Sequence, residues 1–307
     1  MRASGPISDP GCLVPFEYMV QVIERRELWE PGLAILKFLF TIVLVYGIVV
    51  GALYLFQRRI LFVPGTDAPD QVAAGVPDMT DVELATSDGL TLLSWYHPAS
   101  PEQPTFVYFQ GNAGTIQGRG FKARAMIDRG FGILLVGYRG YGGNPGHPSE
   151  VGLIEDGRAA MRFLEEEGVA AGNMVLYGES LGSGVAVALA AEAEDGDGPG
   201  AVILEAPYTS IAEIAAKRYR FALVDKLIKD RFDSLARIPH IRAPLLVLHG
   251  EEDRLIDASH GQRLVDAAAQ PKELRLFAEG RHSDLHDHGA MDAIAAFLER
   301  KWDHTQP

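Results

Sequence analysis

Between Phe38 and Phe56 the chain reads FLFTIVLVYGIVVGALYLF, nineteen residues without a charged side chain. Coiled as a helix, that run spans roughly 28 Å, close to the hydrocarbon thickness of a bilayer. It is long for a buried core helix. It sits behind a 37-residue leader and is followed by QRRILF rather than a small-residue cleavage pattern, which argues against a removed signal peptide. The expectation is a single membrane anchor. Arg25, Arg26 and Lys37 flank its entry side and Arg58 and Arg59 its exit side. That margin of one charge leans towards an N-terminus inside and a following domain on the non-cytoplasmic face. The leader's QVIERRELWE mixes both signs and reads as a solvated tail.

With 307 residues, 47% of them hydrophobic and 22% charged, the chain can bury the core of one large α/β domain or two small ones. A net charge of -13 disfavours phosphate backbones, because affinity for nucleic acid comes mainly from clustered Lys and Arg. The one cysteine, Cys12, offers neither an internal disulfide nor a cysteine zinc site.

The organisation expected is a leader over 1–37, the anchor over 38–56, a linker over 57–78 rich in proline, and a domain over 79–307. VELATSDGLTLLSWYHP predicts a hairpin turning at Ser87-Asp88-Gly89. Short apolar runs then alternate with helical stretches: TFVYFQG (105 to 111), FGILLVGYRG (131 to 140), NMVLYGES, GAVILEAP (200 to 207), APLLVLHG (243 to 250) and ELRLFAEG (273 to 280). Such alternation predicts a mostly parallel, doubly wound sheet covered on both faces, with ligands beyond the carboxyl ends of its strands. Residues 208–239 interrupt it with a helical pattern, burying Ile211, Ile214, Phe221, Leu227 and Ile228, and read as a small helical cap. The cap carries seven Lys or Arg against four acidic residues. A solvated face explains them; so would a contact of Lys217, Arg218, Arg220, Lys226 and Lys229 with anionic headgroups.

Gly178-Glu179-Ser180-Leu181-Gly182 follows an apolar strand directly and opens a helix of small residues, the setting of a nucleophile elbow. A serine hydroxyl is a weak nucleophile and needs an imidazole base, itself oriented by an acid. In that order along the chain come Asp253, in LHGEEDRLI, and His282, in AEGRHSDLHDHG. Glu251, Glu252 and Asp257 are rivals for the acid, and His286 and His288 for the base. Asp253 and His282 are preferred because each lies in the loop directly after its strand, whereas Asp257 and His288 read as helix caps. A tetrahedral oxyanion needs two backbone donors, assigned to Leu181 and, from the QGNAGT loop, Asn112. The cluster of His282, Asp284, His286, Asp287 and His288 lacks H-E-x-x-H spacing, and no glycine-rich phosphate motif opens a helix. Neither metal nor cofactor is expected.

These residues resemble a known family, the membrane-anchored α/β-hydrolase-domain serine hydrolases related to the prolyl-oligopeptidase-like group. The resemblance covers roughly residues 38 to 300. It is carried by QGNAG, YRGYGGNPGHPSE, GESLGSG, LEAPYTSI, DRFDSLARI, LHGEEDRLI and GRHSD. It implies an α/β-hydrolase fold, a Ser180, Asp253, His282 triad with Asn112 and Leu181 as oxyanion hole, and hydrolysis of a carboxylic, lipid or thioester near a bilayer. Gln110 departs from the histidine common before Gly-Asn, and Gly137 from the acid that often precedes Tyr-Arg-Gly. The alternatives are a serine peptidase acting on short peptides and a catalytically silent, membrane-tethered binding module.

Overall fold

The computed structural model describes residues 16–193 and 196–302. Cys12 and the start of the leader lie outside the described residues, as do the side chains of Arg25 and Arg26. The chain divides into two compact units between Leu55 and Phe56. The first consists of helix α1 (Phe16–Leu61) up to that point. Its stretch Gly32–Leu61 is long and apolar enough to cross a membrane, and most of its large apolar side chains are exposed. The helix continues past Phe56, the end of the uncharged run, through Arg58 and Arg59 to Leu61.

The second unit holds ten strands: β1 (Val63–Pro64), β2 (Thr80–Ala85), β3 (Thr91–His97), β4 (Thr105–Phe109), β5 (Ala113–Gly114), β6 (Gly132–Leu135), β7 (Met174–Glu179), β8 (Ala201–Glu205), β9 (Leu245–Gly250) and β10 (Lys272–Phe277). Eight form one sheet in the order β10-β9-β8-β7-β4-β6-β3-β2. The β2–β3 and β3–β6 pairs are antiparallel and the others parallel. The predicted hairpin closes where Gly89 adopts φ +88, a backbone state that glycine reaches without Cβ strain.

The central strands are buried on both faces, so they read as continuous apolar runs. Alternation still sorts them. Val107, Leu176, Val202 and Val247 face one core with helices α3 (Glu150–Glu166) and α4 (Leu181–Glu192). Phe106, Tyr177, Ile203 and Leu246 face the other, with α2 (Gly120–Ile127) and α9 (Ala290–Trp302). The chain thus has the doubly wound, mostly parallel sheet expected of an α/β-hydrolase fold, with one N-terminal helix long enough to span a membrane.

Several local expectations need correction. Residues 57–78, read as a linker from their prolines, are packed: Phe62 and Val76 are buried, and β1 pairs with β5 in parallel. Between β8 and β9 the helical pattern breaks into α5 (Ile211–Arg218), α6 (Val224–Leu227) and α7 (Ser234–Arg237). Ile211, Ile214, Leu227 and Ile228 are half-buried there, but Phe221 is exposed, because the break between α5 and α6 removes the periodic face that would have turned it inward. His288 ends a short 3-10 turn, Leu285–His288, instead of beginning α9, and Gly289 at φ +88 separates the two.

Candidate active site

The register of the parallel strands aligns their carboxyl ends: Phe109 stands beside Gly178, Glu179 beside Glu205, and Gly250 beside Phe277. Every residue singled out from the sequence follows one of these ends. Ser180 is the residue between β7 and α4, with φ +50 and ψ -114, a conformation rare for any residue with a Cβ. Its amide donates to the Glu205 carbonyl at 2.8 Å, and its carbonyl accepts from the Ser183 amide and hydroxyl at 2.9 and 2.6 Å.

The strain falls on the serine; the flanking glycines answer a different demand. A Cβ on Gly182 would lie 2.1 Å from the Phe109 carbonyl oxygen, and one on Gly178 would lie 2.5 Å from Ser183 Cα. Backbone cannot yield there as a flexible side chain could. Glycine therefore lets α4 start directly against β4, which holds the serine hydroxyl out at the helix N-terminus.

Ser180, His282 and Asp253 meet. His282 Nε2 lies 2.9 Å from Ser180 Oγ, and His282 Nδ1 lies 2.7 Å from Asp253 Oδ2. Asp253 is buried, and its other oxygen accepts the amides of Leu255 and Ile256 at 2.8 and 2.9 Å. Burial alone would raise its pKa. Hydrogen bonds from His249, His282 and the Ile256 amide outweigh burial and hold the carboxyl well below the usual carboxylate range, so it is charged at neutral pH. A charged acceptor at Nδ1 favours the tautomer with its proton there, leaving Nε2 free to accept the serine proton.

The rivals are placed elsewhere. Asp257 accepts from the Ser259 amide at 3.0 Å, just before helix α8 (Ser259–Ala267). Glu251 and Glu252 are exposed. His286 packs edge-on against Phe121, with ring centroids 5.1 Å apart.

The loop after β4 is tied down by groups far away in sequence. Asn112 Nδ2 donates to the Leu61 carbonyl at 2.9 Å, while the Asn112 carbonyl accepts from the Val63 amide and Tyr141 hydroxyl, both at 2.9 Å. The backbone amides of Asn112 and Leu181 meet no protein acceptor among the described residues. Gln110 is buried and its side-chain amide has no partner among the described residues, so this residue braces the loop only through its backbone carbonyl, which accepts from the Tyr138 hydroxyl at 3.2 Å. At the other unusual position, a Cβ on Gly137 would lie 1.9 Å from the Leu93 carbonyl oxygen, which excludes any side chain.

Two features were not foreseen from the sequence. His249 is fully buried beneath Asp253, with Nε2 2.9 Å from the Ile256 carbonyl oxygen and 3.5 Å from Asp253 Oδ2. Donation to these oxygens fixes its proton on Nε2. Glu179, the residue before the serine, sits in a buried ionic cluster, accepting from Arg119 Nη2 at 2.9 Å, from Lys122 Nζ at 3.0 Å and from the Tyr108 hydroxyl. Lys122 also reaches Glu205 at 2.8 Å, and Glu205 takes the Tyr177 hydroxyl. Burial disfavours the charge on Glu179, but Lys122 and Arg119 overcome it and lower its pKa. Paired in this way, the cluster avoids the several kcal/mol an unpartnered interior charge costs.

A sharp strand-to-helix turn at the carboxyl edge of a mostly parallel sheet is the arrangement of an α/β hydrolase, and comparison with known proteins agrees: the chain belongs to the α/β-hydrolase family. It is 37% identical over 248 residues to a protein of Mycobacterium tuberculosis, covering 79% of this chain and 87% of that one. It is 30% identical over 266 residues to the alpha/beta hydrolase domain-containing protein WAV2 of Arabidopsis thaliana, covering 78% and 86%. The lysophosphatidylserine lipase ABHD12 of Danio rerio is 32% identical over 198 residues, 59% of this chain and 51% of that one. The family model described as serine aminopeptidase, S33, matches residues 214–289, which include Asp253 and His282. Among solved structures, an esterase of Pyrococcus furiosus shares the fold with a TM-score of 0.63 at 17% identity, covering 78% of this chain and 98% of that one. The chain is thus a hydrolase with esterase and lipase neighbours.

Proposed function

We propose that the protein is a membrane-anchored serine hydrolase that cleaves carboxylic esters, among them lipid esters or thioesters, through an acyl-enzyme. Ser180 Oγ attacks the carbonyl carbon while His282 Nε2 takes its proton, and the Asp253 carboxylate stabilises the imidazolium. The amides of Leu181 and Asn112 receive the oxyanion. Collapse of the tetrahedral intermediate breaks the ester bond, His282 returns the proton to the leaving alcohol or thiol, and water attacks the acyl-serine by the same route in reverse. The observation that carries this reading is the pair of contacts at His282, 2.9 Å to Ser180 Oγ and 2.7 Å to Asp253 Oδ2.

The lipid part of the reading has two supports: the Gly32–Leu61 helix, with composition and length for a bilayer, and a relative named for lysophosphatidylserine hydrolysis. The charge margin across that helix favours the domain on the non-cytoplasmic side. A fluorophosphonate probe tests the core claim. The intact chain should be labelled covalently and Ser180→Ala should not; equal labelling of both would sink the assignment. A peptidase reading draws on the serine aminopeptidase description of the 214–289 match. A panel of ester, thioester and short peptide substrates separates the two, with turnover confined to the peptides as the result that replaces the ester reading.

A further inference from the structure

Seven Lys or Arg stand against four acidic residues over 208–239, in a chain of net charge -13. Arg237 of this segment is neutralised by Glu150 at 2.9 Å. Lys217, Arg218, Arg220 and Lys226 are exposed, and among the described residues none of the four forms a salt bridge. Phe221 and Leu223 lie between them, 53% and 59% exposed. Large apolar side chains standing out among cations are the composition of a segment that lies in a lipid headgroup layer.

Attachment supplies the occupant. Gln57, the residue after the uncharged run, donates from Nε2 to the Leu227 carbonyl at 3.2 Å and accepts from the Lys229 amide at 2.7 Å. Arg58 donates to both oxygens of Asp230, at 2.8 and 3.1 Å. Asp230 is 3% exposed and also takes the Glu150 amide at 2.9 Å. A buried carboxylate engaged on both oxygens is not easily released. The segment is therefore fastened to the two residues that follow the apolar run, where a membrane helix passes into the headgroups.

We propose that residues 217–229 form a docking surface for an anionic lipid bilayer, with Phe221 and Leu223 entering the headgroup boundary and the four basic side chains meeting lipid phosphates. The proposal rests on the reading of Phe38–Phe56 as a membrane anchor. It goes beyond the ester chemistry, because it gives this face a ligand of its own. Each cation close to an anionic leaflet favours the bound state about fivefold, and screening confines that gain to roughly 8 Å at physiological salt.

Hydrogen exchange on the full chain tests it, with the protein reconstituted in nanodiscs of phosphatidylcholine alone or mixed with phosphatidylglycerol. Peptides over 211–231 should exchange at least about tenfold more slowly in the mixed discs, with the difference shrinking as salt rises. Replacing Lys217, Arg218, Arg220 and Lys226 with Gln should abolish that difference; an unchanged melting temperature would show that the variant is folded. Phe221→Ser with Leu223→Ser should weaken protection in the mixed discs. Equal exchange in both lipids overturns the docking surface, as does a difference that survives the four Gln substitutions. Liposome flotation separates the two layers of the argument. A chain that floats with both lipid compositions yet shows equal exchange keeps the anchor and loses the docking surface, whereas a chain that floats with neither loses both.

Discussion

Asp253→Asn changes almost nothing in shape and reverses the hydrogen bond to His282, while His249 Nε2, 3.5 Å from the same oxygen, loses that longer contact and keeps the Ile256 carbonyl oxygen at 2.9 Å. In the native site Oδ1 accepts the Leu255 and Ile256 amides at 2.8 and 2.9 Å, and Oδ2 faces His282 Nδ1 at 2.7 Å. An asparagine that keeps its oxygen towards the two amides turns its NH2 towards Nδ1. Two donors cannot share that contact, so the neutral imidazole moves its proton to Nε2. That nitrogen then donates to Ser180 Oγ and can no longer act as base. The opposite amide orientation sets NH2 against two buried amides, at about 1–3 kcal/mol for each donor left unsatisfied. The first arrangement therefore prevails, with loss of the imidazolium's counter-charge in addition.

Where the same reversal is known in a serine protease triad the loss in kcat is about 10^4, or about 5.5 kcal/mol of transition-state stabilisation. We expect a loss of that order here, read as the second-order rate of fluorophosphonate labelling and the turnover of an activated ester. The melting temperature should change little, because the volume and both amide contacts are retained. A variant that melts like the parent and keeps activity within about tenfold of it would refute the tautomer argument and remove Asp253 from the mechanism.

Gly182→Ala places a Cβ 2.1 Å from the Phe109 carbonyl oxygen and 2.8 Å from that of Gln110, so it should cost about 1–3 kcal/mol and slow labelling of Ser180 by displacing α4 from β4. Gly172→Ala, with nothing within 4 Å of its Cβ, should be neutral in the same denaturation series; equal effects would contradict the close-approach argument. Glu155 is pulled down to a pKa of about 2, because the amide and hydroxyl of Ser87, together with Arg158 and Arg162, outweigh its burial. A carboxylate whose folded pKa is depressed contributes stability above its unfolded pKa of about 4.5 and loses it as pH falls through about 2. Glu155→Gln should therefore flatten that part of the acid unfolding curve, and an unaltered acid limb would count against it.

The candidate site was legible in the sequence because an open parallel sheet collects the loops that follow its strands at one edge. Locating the ends of β7, β9 and β10 was enough to anticipate that Ser180, Asp253 and His282 share a rim. The remainder was hidden for a common reason: the partners are remote and carry no local pattern. Gln57 and Leu227 are 170 positions apart, and Arg58 and Asp230 are 172. Nothing in the composition of 57–78 indicates that Val63 will pair with the loop at Ala113, so prolines read as slack where the chain is packed. His249 sits in a run of strand residues that signals only burial, and its hydrogen bond to Ile256 depends on how the next loop folds back. Phe221 was misplaced because helical periodicity presumes a continuous helix, and two short ones take its place.

The backbone at Ser180, with φ +50, has a consequence for descent. A residue bearing a Cβ in that region stores about 1–3 kcal/mol of strain, which glycine would relieve. A lineage shaped by folding alone has reason to lose the serine. Descendants that kept the scaffold but abandoned the chemistry should drift towards glycine at 180, so the hydroxyl's persistence in a branch of the family becomes a record of use.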